Sequence, residues 1–154
     1  MRLTKTRLAV AMIAAAAPFA LAAPAQATML GECPAGQQAA NALADAPTMP
    51  MKVTDDIIGA IDLDKEIGVA GRDLRLRRLV VQPGGVVPMH SHKGRPALIT
   101  VVSGEITEYR SNCATPITHR AGDVSREADG ISHYWRNNGR MPAVLLSADV
   151  KADD

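Results

Sequence analysis

The chain has almost no net charge, no run of like charges, no internal repeat, no apolar stretch long enough for a bilayer and only two cysteines in 154 residues. Each deficit removes a class of protein. A formal charge of +1 at pH 7 leaves no electrostatic footprint for nucleic acid or an anionic membrane surface. Without a repeat there is no basis for a stacked or propeller architecture. The longest apolar run, Leu8 to Ala22, is broken by Pro18 and falls short of the ~20 residues that a comfortable membrane span needs. The two cysteines, Cys33 and Cys113, have only each other as partners.

The opening segment "MRLTKTRLAVAMIAAAAPFALAAPAQA" has a basic start at Arg2, Lys5 and Arg7, then the apolar run, then small residues ending Ala25-Gln26-Ala27. This is the layout of a cleavable secretory signal, residues 1–27, with cutting expected after Ala27; an uncleaved N-terminal anchor is the competing reading. Lipid anchoring does not fit, because Glu32 stands directly before Cys33 where a small residue is required. Export implies a periplasmic or secreted protein and no membrane association after cleavage. Loss of the three basic leader residues turns the net charge to −2. In an oxidising compartment a Cys33–Cys113 disulfide is the natural expectation, with two unrelated free thiols as the alternative.

Residues 28–51 read as a tether rich in Ala and Pro, with at most one short helix around Gln37–Ala46. Residues 52–154 read as one small domain. Here short β-like runs alternate with turn signals: Ile57–Leu63, Leu74–Gln82, Val86–His92, Ala97–Ser103, Ile106–Arg110, Pro116–His119, Asp123–Ser125, Ile131–Arg136 and Ala143–Asp149, punctuated by "PGG", "KGRP", "SGE", "AGD", "ADG" and "NNGR". Many short strands at even spacing predict an all-β sandwich or barrel.

Within this pattern His90 and His92 fall on one face of a strand, ~6.6–7 Å apart along it. They can converge on one ion only if the strand curves or the rings lean inward. A second cluster, "GDVSREADGISHYWRNN", places His133 after a turn at Gly130, with Trp135 and Asn137 on the same face. Three of the four histidines lie in these two slots. If the second strand lies across the barrel from the first, a third imidazole reaches the same point.

These two segments resemble the motifs of the cupin superfamily. The first family motif is a glycine, five residues, His-x-His, a glutamate three or four residues on, and a later glycine; Gly84, His90, His92 and Gly104 match. The second is a glycine, five residues, proline, one residue, glycine, two residues, histidine, three residues and asparagine; Gly122, Gly130, His133 and Asn137 match. Two positions depart: Ala97 stands where the glutamate ligand belongs, and Ala128 where the turn proline belongs. The resemblance implies a single-domain cupin-type jelly roll, a double-stranded β-helix barrel, holding a divalent metal (Fe, Zn, Mn or Ni) through His90, His92 and His133. Homodimers are common among such proteins.

With Ala97 in place of the acid, the expectation is a cation held less tightly but polarising bound water or substrate more strongly. A site decayed into a metal-free pocket is the other outcome. Glu127 is expected on the outer surface rather than as a substitute ligand. In "DLRLRRLVV", if Leu74, Leu76, Arg78 and Val80 face the lumen, Arg78 could hold an acidic substrate group, although a bulge or edge strand could equally turn it outward. Ala97, Ile99 and Val101 are expected to form an apolar wall beside Trp135. His119 is expected at the surface or in ordinary packing, and Asn137 as a strand-end device. No residue is an evident general base. Three function classes follow: a metal-dependent enzyme, dioxygenase-like, acting on a small organic molecule; a non-catalytic protein binding a small ligand or metal; and an interaction module.

Overall fold

A computed structural model describes residues 33–40 and 43–152; the expected leader lies outside the described residues. Eight strands form one antiparallel sheet curled into a nearly closed barrel: β1 (Met51–Asp62), β2 (Arg72–Ser91), β3 (Ala97–Ser103), β4 (Glu105–Arg110), β5 (Ile117–Arg120), β6 (Val124–Glu127), β7 (Ser132–Arg136) and β8 (Ala143–Ala152), with a single short helix α1 (Leu63–Ile67) between β1 and β2. The order around the barrel is β5-β4-β7-β2-β8-β3-β6, and β1 pairs with β2 off this path.

β2 organises the rest. Two of the expected strands, Leu74–Gln82 and Val86–His92, are one bent strand of 20 residues. Its first half, Arg72–Val81, pairs with β8, and its second half, from Val86 to Ser91, pairs with β7. The bend lies at "PGG". A Cβ on Gly85 would stand 2.8 Å from the carbonyl oxygens of Gln82 and Lys52, so only glycine permits this approach. Asn137 fastens the bend: its side-chain nitrogen donates to the carbonyls of Val81 and Met141, both at 2.8 Å, and its backbone exchanges hydrogen bonds with Gly84 and Gly85.

No helix forms around residues 37–46 among those described; turns and an isolated bridge from Gln38 to Cys113 occupy that stretch. The helix lies instead at Leu63–Ile67, where the Asp62 side chain accepts from the amides of Asp64 and Lys65 and Gly68 closes the end with φ 70°. The Cys33–Cys113 disulfide is formed, closing a separation of 80 residues.

The barrel interior has two unlike ends. One is an apolar core of Leu79, Val81, Ile99, Val101, Ile106, Trp135, Ala143 and Leu145. The other buries His92, Glu108, Arg110, His119, Glu127, His133, Ser147 and Asp149. Buried charge on this scale costs free energy unless it is paired, so the pairing pattern of the polar end reports what that end is for.

Candidate metal centre

His90 and His133 are direct partners across the β2–β7 ladder, so β7 is the neighbour of the histidine-bearing strand rather than lying across the barrel from it. A register shift between Val87 and His90 bends β2 so that His92, two residues on, also leans to the same point. His90 Nε2 lies 3.0 Å from His92 Nε2 and 3.1 Å from His133 Nε2.

The outer nitrogen of each ring is held. His90 Nδ1 donates to the Pro88 carbonyl at 2.8 Å, and His92 Nδ1 to the Arg95 carbonyl at 2.8 Å. A carbonyl can only accept, so both Nδ1 atoms carry the proton, and in a neutral ring Nε2 is then a bare lone pair. Burial keeps both rings neutral: His90 is pushed down to about 3, with the neighbouring His133 adding to the effect, and His92 is also lowered, chiefly by burial. His133 Nδ1 is held by Glu108 Oε1 at 2.6 Å, which leaves its Nε2 pointing at the same spot.

The fourth member is a carboxylate. Glu127 is completely buried, and its Oε2 lies 2.8 Å from His92 Nε2 and 3.4 Å from His133 Nε2. Neither Glu127 oxygen accepts a hydrogen bond among the described residues, which follows because the nitrogens facing it offer lone pairs. Burial raises its pKa from the usual 4.5 to about 7. The expectation that Glu127 sits on the outer surface is therefore corrected, and the reason lies in the pairing. Ala97 and Glu127 are direct partners across the β3–β6 ladder, where facing Cβ atoms stand ~4.5–5.5 Å apart. The acid missing from β3 is supplied by the residue opposite it, through the space that the small Ala97 side chain leaves. The expected strand ended at Ser125; β6 runs on to Glu127 with Ser125 and Glu127 both buried and Arg126 exposed, and that alternation is the signal that places the acid inside.

Three imidazole nitrogens and one carboxylate oxygen thus lie within 4.8 Å of one another. Donors bonded to a common ion at ~2.0–2.2 Å stand about 3 Å apart, which is the spacing of the neighbouring pairs here. Once Glu127 is ionised its oxygen repels the imidazole lone pairs it faces, and a divalent cation is what removes that repulsion. The residues present fit a resident metal.

A second buried layer supports the first. Glu108 accepts from His133 Nδ1, from His119 Nε2 at 2.9 Å and from Arg110 Nε at 2.6 Å. Burial alone would raise its pKa, but the hydrogen bonds from His119 and His133, with the Arg110 charge, outweigh it and hold Glu108 ionised. A carboxylate on the outer nitrogen of a ligating histidine fixes the ring's tautomer and orientation and raises its basicity. His119 is wholly buried and lies over Trp135, with ring centroids 4.9 Å apart. The sequence reading missed the Glu108 role; its signal was an acid and a base, Glu108 and Arg110, at alternate positions of β4 in phase with the buried Ile106.

A cavity of about 210 Å³ opens from His90 to the surface, walled by Leu79, Val87, Ile99, Trp135 and Leu145 and flanked by Arg77 and Arg95. Ile99 and Trp135 line it. Val101 does not: it belongs to the apolar core. Ala97 is buried opposite Glu127. Arg78 is exposed, because β2 pairs with β8 without a slip from Arg72 to Val81 and the inward parity set by the buried Leu79 and Val81 runs back to Arg77 and Arg75. Leu74 and Leu76 share the outer face with Arg78, at 37% and 39% exposure.

Residues 77–149 match the family model described as a cupin domain. This stretch of the chain is a domain of the cupin superfamily. Its curated relatives include an auxin-binding protein, ABP19b, of Prunus persica, 38% identical over 82 residues, covering 51% of this chain and 39% of that protein. Germin-like protein 8-14 of Oryza sativa subsp. japonica is 38% identical over 86 residues, covering 53% of this chain and 40% of its own. The chain thus spans about two fifths of the length of these relatives. Among solved structures, a predicted oxalate decarboxylase of Thermotoga maritima shares the fold with a TM-score of 0.52 and 18% identity, over 70% of this chain and 95% of that one. The cupin histidines His90, His92 and His133 stand at the family positions, while the carboxylate beside them comes from β6.

Proposed function

We propose that this protein is an exported metal-binding cupin that holds a divalent cation through His90, His92, His133 and Glu127 and binds a small organic molecule in the adjoining cavity. The observation that carries this reading is the convergence of three imidazole Nε2 atoms and one buried carboxylate oxygen, all within 4.8 Å of one another. A decayed, metal-free pocket would gain nothing from keeping Glu127 buried, because that acid opposes its own burial. Iron, zinc, manganese and nickel all accept a donor set of three nitrogens and one oxygen.

A bound cation would supply Lewis-acid polarisation of a ligand oxygen and, for a redox-active ion, dioxygen chemistry. The chain's own residues do the rest. Backbone carbonyls and Glu108 aim the imidazoles, Glu127 balances part of the charge, and the apolar wall excludes water. The disulfide supports an oxidising location, periplasmic or secreted.

Metal analysis of protein isolated from its own compartment tests the reading: about one equivalent per chain is expected, lost in His133→Ala. Equal content in both sinks it. Substrate-dependent oxygen uptake that disappears in His92→Ala would place the protein among enzymes. Ligands that raise the melting temperature without turnover would place it among binding proteins.

A further inference from the structure

The cavity beside His90 has a polar flank that the metal centre does not use. Arg77 from β2 and Arg95 from the turn before β3 both border it, and both side chains are largely buried, at 12% and 23% exposure. The acid within reach of both, Asp149, is fully buried and already committed: Arg75 takes its two oxygens at 3.0 and 2.7 Å. What it offers the other two is peripheral, 3.5 Å to Arg77 Nε and 3.4 Å to Arg95 Nη1. Asp55 of β1 holds Arg77 Nη1 from the solvent side, while the buried Arg77 Nε donates no hydrogen bond to any described residue. An unmet donor in a buried guanidinium is costly. The largely buried Arg95 guanidinium meets an acid only at the long 3.4 Å contact to Asp149. An anion between the two side chains would relieve both.

We propose that Arg77 and Arg95 form an anion subsite that binds the carboxylate of a small organic acid, with the acid's hydrocarbon body against Leu79, Ile99 and Leu145 and its far end toward the metal centre. Guanidinium forks match carboxylate geometry, and the apolar wall selects an organic anion over an inorganic one. A volume of about 210 Å³ limits the ligand to a short acid, since pockets for larger molecules start at ~300 Å³. The placement toward the metal rests on the function proposed above, whereas the arginine subsite is built from the chain alone.

The experiment is calorimetric titration of the full mature protein, with its metal content measured in the same samples. The probes are isovalerate and glutarate, their uncharged amides, and inorganic phosphate. The carboxylates are expected to bind, and the amides and phosphate to bind much more weakly. Arg95→Gln, which gives up only a long 3.4 Å contact to Asp149 among the described residues, should weaken carboxylate binding about tenfold or more, and so should Arg77→Gln. Arg78→Gln, on the outer face, should leave it unchanged. Circular dichroism establishes that each variant is folded, and if Arg77→Gln is not, Arg95→Gln decides. The inference is overturned if amides or phosphate bind as well as the carboxylates, if folded Arg95→Gln keeps full affinity, or if metal-loaded protein binds no carboxylate. Absence of metal with arginine-dependent carboxylate binding retained would support the subsite and overturn the metal centre instead.

Discussion

At the residue scale the telling side chain is Glu127, because its value to the protein depends on what sits beside it. In metal-free protein its pKa is raised from 4.5 to about 7 by burial. The native state therefore keeps a proton through that window while the unfolded chain gives it up, so this group's contribution to stability falls as pH rises from about 4.5 to about 7. Glu127→Gln removes the penalty. Chelator-stripped Glu127→Gln should be more stable than stripped wild type at pH 8 by roughly 1–3 kcal/mol, with the gain fading toward pH 5; denaturant melts at the two pH values measure this. His90 works in the opposite sense. Its ring, pushed down to about 3, adds stability above its unfolded value near 6.5 that is lost as pH falls toward 3.

A bound cation would reverse the balance for Glu127. The same substitution should weaken cation binding on the order of 100-fold, read by competition with a chromogenic chelator. Wild-type affinity should climb as pH rises through about 7, where Glu127 sheds its proton, and flatten above. A residue that destabilises the empty fold but is needed by the loaded one marks a functional site. Glu108 acts one bond further out. Glu108→Gln keeps its size but loses the charge that His133, His119 and Arg110 share, and should cost roughly 10–100-fold in metal affinity. Unchanged affinity in a folded Glu108→Gln would remove the supporting role.

At the scale of elements, the β3–β6 ladder is where this chain departs from the family pattern. Ala97 and Glu127 face each other, so the carboxylate can change strands without leaving the site. The double variant Ala97→Glu, Glu127→Ala should therefore recover much of the metal affinity that Glu127→Ala loses, and each single variant should bind worse than the pair. Failure of the pair to recover any affinity in a folded protein would mean that the two positions are not interchangeable routes to one ligand. The same ladder explains why the fold was readable and the ligand was not. The glycines at 84, 104, 122 and 130 adopt positive φ at turns where a side chain is strained, a local requirement that leaves its mark in sequence. Which residue stands opposite Ala97 is a matter of register, and register is set by two segments about thirty positions apart.

At the scale of the whole molecule, the polar end of the barrel is bought with stability, and the disulfide helps to offset it. Cys33–Cys113 ties the segment before β1 to the turn after β4. On the chain-entropy account, closing 80 residues contributes about 4–5 kcal/mol. Paired Cys33→Ser, Cys113→Ser substitution should lower the unfolding free energy by an amount approaching that figure, with metal affinity little changed because neither cysteine lies in the centre. An unchanged denaturation midpoint would show that the unfolded chain gains nothing from the missing link. β1, by contrast, pairs with β2 alone and leaves Ile57, Ile58 and Ile61 exposed, while its Asp55 holds Arg77 at the cavity.

The sequence by itself determined what depends on a residue's own neighbourhood: the turns that only glycine makes, the pairing of His90 with His92 on one strand, the match of His133 and Asn137 to the second motif, and the one partner available to each cysteine. The tertiary structure alone decided what depends on facing strands. It chose Arg77 over Arg78, because alternation divides a strand into two faces without saying which is inside, and the Leu74 and Leu76 face turned out to be the outer one. It brought Glu127 to the place vacated at Ala97, and it gathered Glu108, Arg110 and His119 behind His133. Those assignments rest on ladder register and barrel closure, which place side chains a few ångströms apart that the chain itself keeps tens of residues apart.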